Sequence, residues 1–128
     1  MTNNIHEILA RNVKILMNHY DMTQDDIEKK TGVSQRTISN VINPGSVGSI
    51  TTKTIEKIAD YFGLEYWHLL IPNISIDELV SKRIEKVVVC YTQSEPAGRE
   101  NIARISENEV RYSQIEKPPQ KQISNGKN

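Results

Sequence analysis

A single cysteine, Cys90, stands in the 128 residues, so no disulfide can form within the chain and a reducing compartment is expected. Aromatic residues make up only 5% of the sequence and hydrophobic residues 37%, which is low for a globular chain, so a packed core is expected over part of the length only. No apolar run approaches the roughly 18 residues that would span a bilayer. The opening "MTNNIHEILAR" does not read as a signal peptide. Net charge is missing too, because 16 basic residues are matched by 16 acidic ones. A partner held by bulk charge alone, such as an anionic membrane, is therefore not expected. His6, His19 and His68 are far apart in spacing from one another and from Cys90, so no metal site is suggested, and His68 beside Trp67 reads as a bundle residue. There is no phosphate-cradling glycine loop and no acid pair that stands out, so neither a cofactor nor an enzymatic activity is expected. What remains is a soluble cytoplasmic protein with one ordinary domain, or a small domain with an appendage.

What the chain does contain is helical periodicity. Residues 4 to 20 place Ile5, Ile8, Leu9, Val13, Ile15, Leu16 and Tyr20 on one arc. "DMTQDD" breaks and restarts the chain, with Thr23 as N-cap and Asp26 three residues on as its capping-box partner. The second helix, 24 to 30, stops at Thr31-Gly32, where glycine permits the left-handed conformation that ends a helix. Ser34 can cap a third helix running to about Ile42, and "NPGSVGS" is a loop by composition. Ile55, Ile58, Ala59 and Phe62 fall at i, i+3, i+4 and i+7 in a fourth helix, with Thr51 or Thr52 as cap and Gly63 as stop. "LEYWHLLIP" predicts a short fifth helix closed by Pro72. Five helices in so short a stretch predict an all-α bundle near the lower size limit for a self-sufficient core.

The third helix has an unusual outer face. With Ile38 as reference and about 100° per residue, Val41 and Ile42 fall beside Ile38 and must face the bundle. Arg36, Asn40 and Asn43 fall opposite, with Ser39 on the flank and Gln35 at the helix start. A merely solvated face would be filled by Lys and Glu. Arg instead offers two donors that match guanine O6 and N7, and Gln or Asn pairs a donor with an acceptor, matching adenine N6 and N7. The pattern is that of a helix reading base edges in a major groove.

Two short helices joined by a tight turn with glycine, the second presented outward, also form the order of a helix-turn-helix. The stretch "TQDDIEKKTGVSQRTISNVIN" resembles the Cro and phage-repressor type of helix-turn-helix protein, also called the xenobiotic-response-element family. The motif residues are Gln24, Ile27, Gly32, Val33, Ile38 and Val41. "TIEKIADYFG" is similar to the family's fourth helix and "WHLL" to the end of its fifth, so the resemblance spans roughly residues 5 to 71. It implies a five-helix DNA-binding domain in which Gln35, Arg36 and Asn40 contact bases, with Ser39 beside them. It also implies that Gln24 contacts phosphate and braces the recognition helix, and that Asn43, Thr52 and Lys53 lie in phosphate-contacting regions. Thr23 and Ser34, at helix N-termini, join that set, since free N–H groups there bind anions. Glu28 stands where the family usually has a small residue, so it is expected to bend outward or pair with a cation such as Arg36.

Beyond residue 74 the character changes. Ile76, Leu79, Val80, Ile84, Val87, Cys90 and Tyr91 share one wide apolar arc, predicting a single helix over 76–91. "KVVVCY" within it could alternatively form a strand. Ile76, Leu79, Val80, Ile84, Val87 and Tyr91 are the candidate homodimer contacts, although packing within the chain would use the same face. A second amphipathic segment follows "SEP", with Pro96 in its first turn. Ala97-Gly98 matches the bond at which some phage repressors cleave themselves, but the 30 residues after it are too few for the catalytic domain, so it reads as helix. "KPPQKQISNGKN" is a disordered tail by composition. The expected organisation is a DNA-binding domain over 1–72, a helical oligomerisation region over 73–116 and a tail over 117–128.

The expected function is a dimeric, sequence-specific transcriptional regulator of prophage-repressor type on a palindromic operator. An antitoxin that represses its own promoter, or a protein-interaction adaptor, are the alternatives. Residues 1 to 71 carry seven Lys or Arg against eight Asp or Glu. Binding should therefore lean on neutral donors and helix N-termini, and its salt dependence should be shallow. A titration of affinity against salt is expected to return a slope equivalent to only a few phosphate contacts, well short of the roughly tenfold exponent of strongly basic repressors.

Overall fold

α1 (Ile5–His19) begins where the Asn4 side chain accepts from the backbone N–H groups of His6 and Glu7 at 2.8 and 3.2 Å. Its inner face buries Leu9, Ala10, Asn12, Val13, Leu16 and Met17. The computed structural model describes residues 4–46 and 48–116, and the tail anticipated over 117–128 lies outside them. α2 (Gln24–Thr31) starts in the expected capping box, since the Thr23 hydroxyl accepts from the Asp26 N–H and the Asp26 carboxylate from the Thr23 N–H. It ends at Gly32, whose φ of 81° lies in the left-handed region. Open space surrounds that Gly32, so it is the backbone angle and not crowding that calls for glycine.

α3 (Gln35–Ile42) is capped by the Ser34 hydroxyl and α4 (Thr52–Tyr61) by that of Thr51. Gly63, with φ 72°, follows α4. The anticipated fifth helix is a single 3-10 turn, Tyr66–Leu70. Its polar anchor is Asn12 of α1, fully buried, which donates to the carbonyls of Leu69 and Ile71 at 2.8 and 3.0 Å. Arg11 next to it donates to Asn12 Oδ1 at 3.0 Å and to the Ile74 carbonyl at 2.7 Å. A buried amide with satisfied partners fixes its neighbours, whereas one left unpaired would cost about 1–3 kcal/mol. His68 in the turn is buried and stacked on Trp67, with Nδ1 accepting from the Glu65 N–H at 2.9 Å, so it serves the bundle as expected.

The core draws Val13 and Leu16 from α1, Ile27 from α2, Ile38 and Val41 from α3, Ile58 and Ala59 from α4, and Leu69 from the 3-10 turn. Each large aliphatic side chain among them contributes roughly 1.5–3 kcal/mol of burial. α1 packs on α3 and the 3-10 turn, and α2 on α3 and α4, so the two motif helices pack on each other with α1 behind α3 and α4 behind α2.

The single helix predicted over 76–91 is two helices in the structure. α5 (Ile76–Ser81) ends at Lys82, which takes a left-handed φ of 62°, and α6 (Arg83–Gln93) follows. The Arg83 guanidinium pairs with Glu78 across the break, and the Ser81 hydroxyl accepts the Arg83 N–H. Periodicity could not reveal this, because the apolar spacing runs on through Lys82. The break changes what the face does. Leu79, expected as a dimer contact, is fully buried in the core, and Ile76 and Ile84 pack against the same core. Val80, Val87 and Tyr91 are exposed. "KVVVCY" is helical, as its main reading had it.

The described residues fall into two compact units, one ending at Glu85 and the other beginning at Lys86. In the second, α7 (Pro96–Glu116) starts with Ala97-Gly98 in its first turn. Arg99 donates to the carbonyls of Tyr91 and Thr92 at the end of α6, at 3.2 and 2.9 Å. Replacing Leu79 with alanine should therefore weaken the first unit itself, by about 2–5 kcal/mol as for other buried leucines. Denaturant unfolding at two protein concentrations checks this, since a loss that disappears at high concentration would instead place Leu79 at an interface.

Candidate nucleic-acid interface

The rotation of α3 about its own axis follows from what it buries. Ile38, Val41 and Ile42 lie in the core, so Gln35, Arg36 and Asn43 are exposed on the opposite side and Ser39 and Asn40 are half-buried at its edges. The structure thus brings Gln35, Arg36, Ser39 and Asn43 onto one outward surface. Arg36 has no ion-pair partner among the described residues, and Glu28, half-buried on α2, does not pair with it. Its guanidinium keeps all its donors for a ligand.

Gln35 is not free. Its Nε2 donates to Asp25 Oδ1 at 3.0 Å, and the other Asp25 oxygen pairs with Lys29 one turn along α2 at 3.0 Å. Asp25 in turn holds the Lys29 ammonium above its usual pKa. The bond to Asp25 uses one amide hydrogen and leaves the Gln35 carbonyl and the second N–H to meet a base edge. Asn43, at the end of α3, donates to the backbone carbonyl and hydroxyl oxygens of Ser39 at 2.8 and 3.1 Å. Those two side chains act as one unit, with the Asn43 carbonyl left to accept.

Asn40 is placed differently from its neighbours. A Cβ on Gly48 would come within 2.3 Å of Asn40 Nδ2, so the loop after α3 lies against that amide and a larger residue there would push the amide aside. The Asn40 backbone carbonyl lies 3.1 Å from the His6 ring Nε2 and accepts from the Ser46 hydroxyl at 3.4 Å. α1 and the loop therefore both meet α3 at Asn40.

The residues anticipated at phosphates sit at three helix starts. Thr23 and Ser34 are committed to capping, and Gln24 is half-buried at the first position of α2. The first turn of α2 carries Asp25 and Asp26. Asp26 is held below the usual carboxylate range, chiefly by the Thr23 backbone N–H and then its hydroxyl, so this helix end is already neutralised. The first turns of α3 and α4 contain no acid, and Thr52 and Lys53 are exposed on α4. Those two ends are the better anion seats.

Asp25, His6 and Gly48 were missed in the sequence. Asp25 looked like an ordinary acid at a helix start, and His6 and Gly48 act across 34 and 8 positions, with no local signature. No group of three His, Cys, Asp or Glu among the described residues could hold a metal ion, and no described helix is long and apolar enough to cross a membrane.

A protein-family comparison agrees with this geometry: the model described as Helix-turn-helix matches residues 13–66. Those residues are a helix-turn-helix domain of the Cro and phage-repressor family. Comparisons with curated proteins and with solved structures return no match. The family is one of DNA-binding transcriptional regulators that are generally not enzymes, and the matched domain is of that type. In Asp25→Ala the Gln35 amide loses its anchor while the fold remains. If Gln35 meets a base edge, discrimination at that base pair should drop by roughly 1 kcal/mol, while affinity for unrelated duplex rises as an acid leaves the surface. Competition binding with a matched and a one-base-altered duplex checks both effects, and an unchanged ratio would refute the bracing role.

Proposed function

We propose that this chain is a sequence-specific repressor of prophage type that occupies a palindromic operator as a homodimer in the bacterial cytoplasm. The observation that carries the reading is the outward face of α3, where Gln35, Arg36, Ser39 and Asn43 present neutral and cationic donors while Ile38, Val41 and Ile42 anchor the helix. In this reading Arg36 takes guanine O6 and N7, and the Gln35 amide takes adenine or a single acceptor edge. Ser39 contacts the flank, and Asn40 reads at the edge of the site, half-covered by the loop at Gly48. Lys53, Thr52 and the N–H groups opening α4 hold phosphate on one side, with Gln24, Thr23, Ser34 and Asn43 lining the rest of the backbone path. Phosphate contacts would set register and base contacts sequence.

One domain of this size covers a single half-site, and a symmetric dimer places two such helices about one helical turn apart. Bound over a promoter, such a dimer excludes polymerase. Selection of the purified protein against a random duplex pool at near-physiological salt should enrich a palindrome with half-site centres roughly 34 Å apart. Gln35→Ala should relax one position of that palindrome and leave the fold unchanged. A pool that shows no enrichment with folded protein would overturn the reading.

A further inference from the structure

Between the start of α1, the loop after α3, the start of α4 and the 3-10 turn lies a cavity of about 350 Å³. Leu9, buried in the core, lines it together with Ile50, Ile55 and Leu70, which pack against that core but are only partly buried. Ile5 is in the lining too and is 62% exposed, so the cavity opens to water at the beginning of α1. No Lys, Arg, Asp or Glu is among the described lining residues. The polar groups they offer are the His6 ring and the hydroxyls of Ser49 and Thr52. A mostly aliphatic hollow with a few polar groups is the make-up of a small-molecule site. Its volume falls at the lower end of the range for such sites, roughly 300–1,000 Å³.

We propose that this cavity takes a small uncharged molecule of one or two rings bearing a hydroxyl or carbonyl, and that filling it weakens the hold on DNA. Size sets the first limit. An aliphatic cavity of about 150 Å³ holds one benzene ring, and an α-helix of another protein, about 10 Å across, is too wide. The lining sets the charge, since an ion would lose its water here and meet no counter-charge. His6 supplies the polar contact, because its Nε2 donates to the Asn40 carbonyl at 3.1 Å and its other ring nitrogen is left over. The effect on DNA follows from what the cavity shares with α3 and α4. His6 and Gly48 line it, and these are the two groups that meet Asn40 from α1 and from the loop. Thr52 lines it as well and opens α4, where the reading above seats a phosphate. A molecule lodged there presses on the loop and on the His6 contact, and it competes with phosphate for the position of Thr52. The inference rests on that DNA reading for its regulatory half and on the cavity alone for the site.

The test uses the full chain and 2-naphthol, a two-ring alcohol. Followed by the methyl NMR signals, a titration should give saturable shifts at Ile5, Leu9, Ile50, Ile55 and Leu70, with a Kd below about 1 mM. The methyls of α6 should stay where they are. Ser49→Phe, at an exposed position in the lining, and Leu70→Phe, from the opposite wall, each fill the space. Each should raise that Kd about tenfold or more with the thermal transition retained, and two variants guard against one that misfolds. For a duplex enriched from the random pool, saturating 2-naphthol should lower affinity by about fivefold or more, and the duplex should lower affinity for 2-naphthol by the same factor. In Leu70→Phe the duplex affinity should no longer respond, which excludes an action of the probe on DNA itself. Shifts that never saturate, binding indifferent to both variants, or a filled site that leaves duplex affinity unchanged would each overturn the proposal. So would contacts from a second copy of the chain to the Ile50 and Ile55 methyls before any probe is added. A chain that selects no duplex sinks the DNA reading and the regulatory half with it, while the methyl titration, which needs no DNA, still decides the site.

Discussion

Everything on the outward face of α3 depends on three buried side chains. Ile38, Val41 and Ile42 leave water together, and in doing so they fix the rotation of α3. A helix can slide or turn by small steps, but turning this one by a single residue would lift an isoleucine from the core and push a polar side chain into it. That penalty, of a few kcal/mol per misplaced group, is larger than anything the exposed residues contribute to stability. The polar face is therefore free to carry chemistry, because the opposite face alone holds the helix in place.

Around this anchor, the neighbouring elements set the finer orientation of single groups. Asp25 of α2 holds the Gln35 amide, Asn43 and Ser39 lock each other, and Gly48 and His6 meet α3 at Asn40. Each is an exposed or half-exposed polar contact worth little to folding. Their value lies in geometry, since a base edge is read only by donors and acceptors already pointing the right way. The acid-rich start of α2 and the acid-free starts of α3 and α4 add an electrostatic asymmetry to the same surface. A chain of zero net charge can still seat phosphates in this way, through helix ends rather than bulk charge.

The legible features were those in which a side chain acts on its own stretch of backbone. Thr23 with Asp26, Ser34, Thr51, Gly32 and Gly63 all do so within about three residues, and the helices of the first unit begin and end where those residues say. The helix at Tyr66–Leu70 was legible as a turn of helix but not as 3-10, a difference of hydrogen-bond spacing that periodicity over five residues does not resolve. Asn12 was hidden among apolar neighbours, although its two bonds to Leu69 and Ile71 tie the end of the bundle to its start.

The long apolar arc of 76–91 shows the division most clearly. Its residues are apolar and helical, and that much is written in the spacing and in the side chains. Which of them enter the core was decided by packing: the chain turns at Lys82, Leu79 is taken inward, and Val87 and Tyr91 are left outside. The local code prescribes caps, stops and faces because those interactions span a few residues. It does not say which neighbour a face will meet, because that depends on the three-dimensional closure of contacts dozens of residues apart.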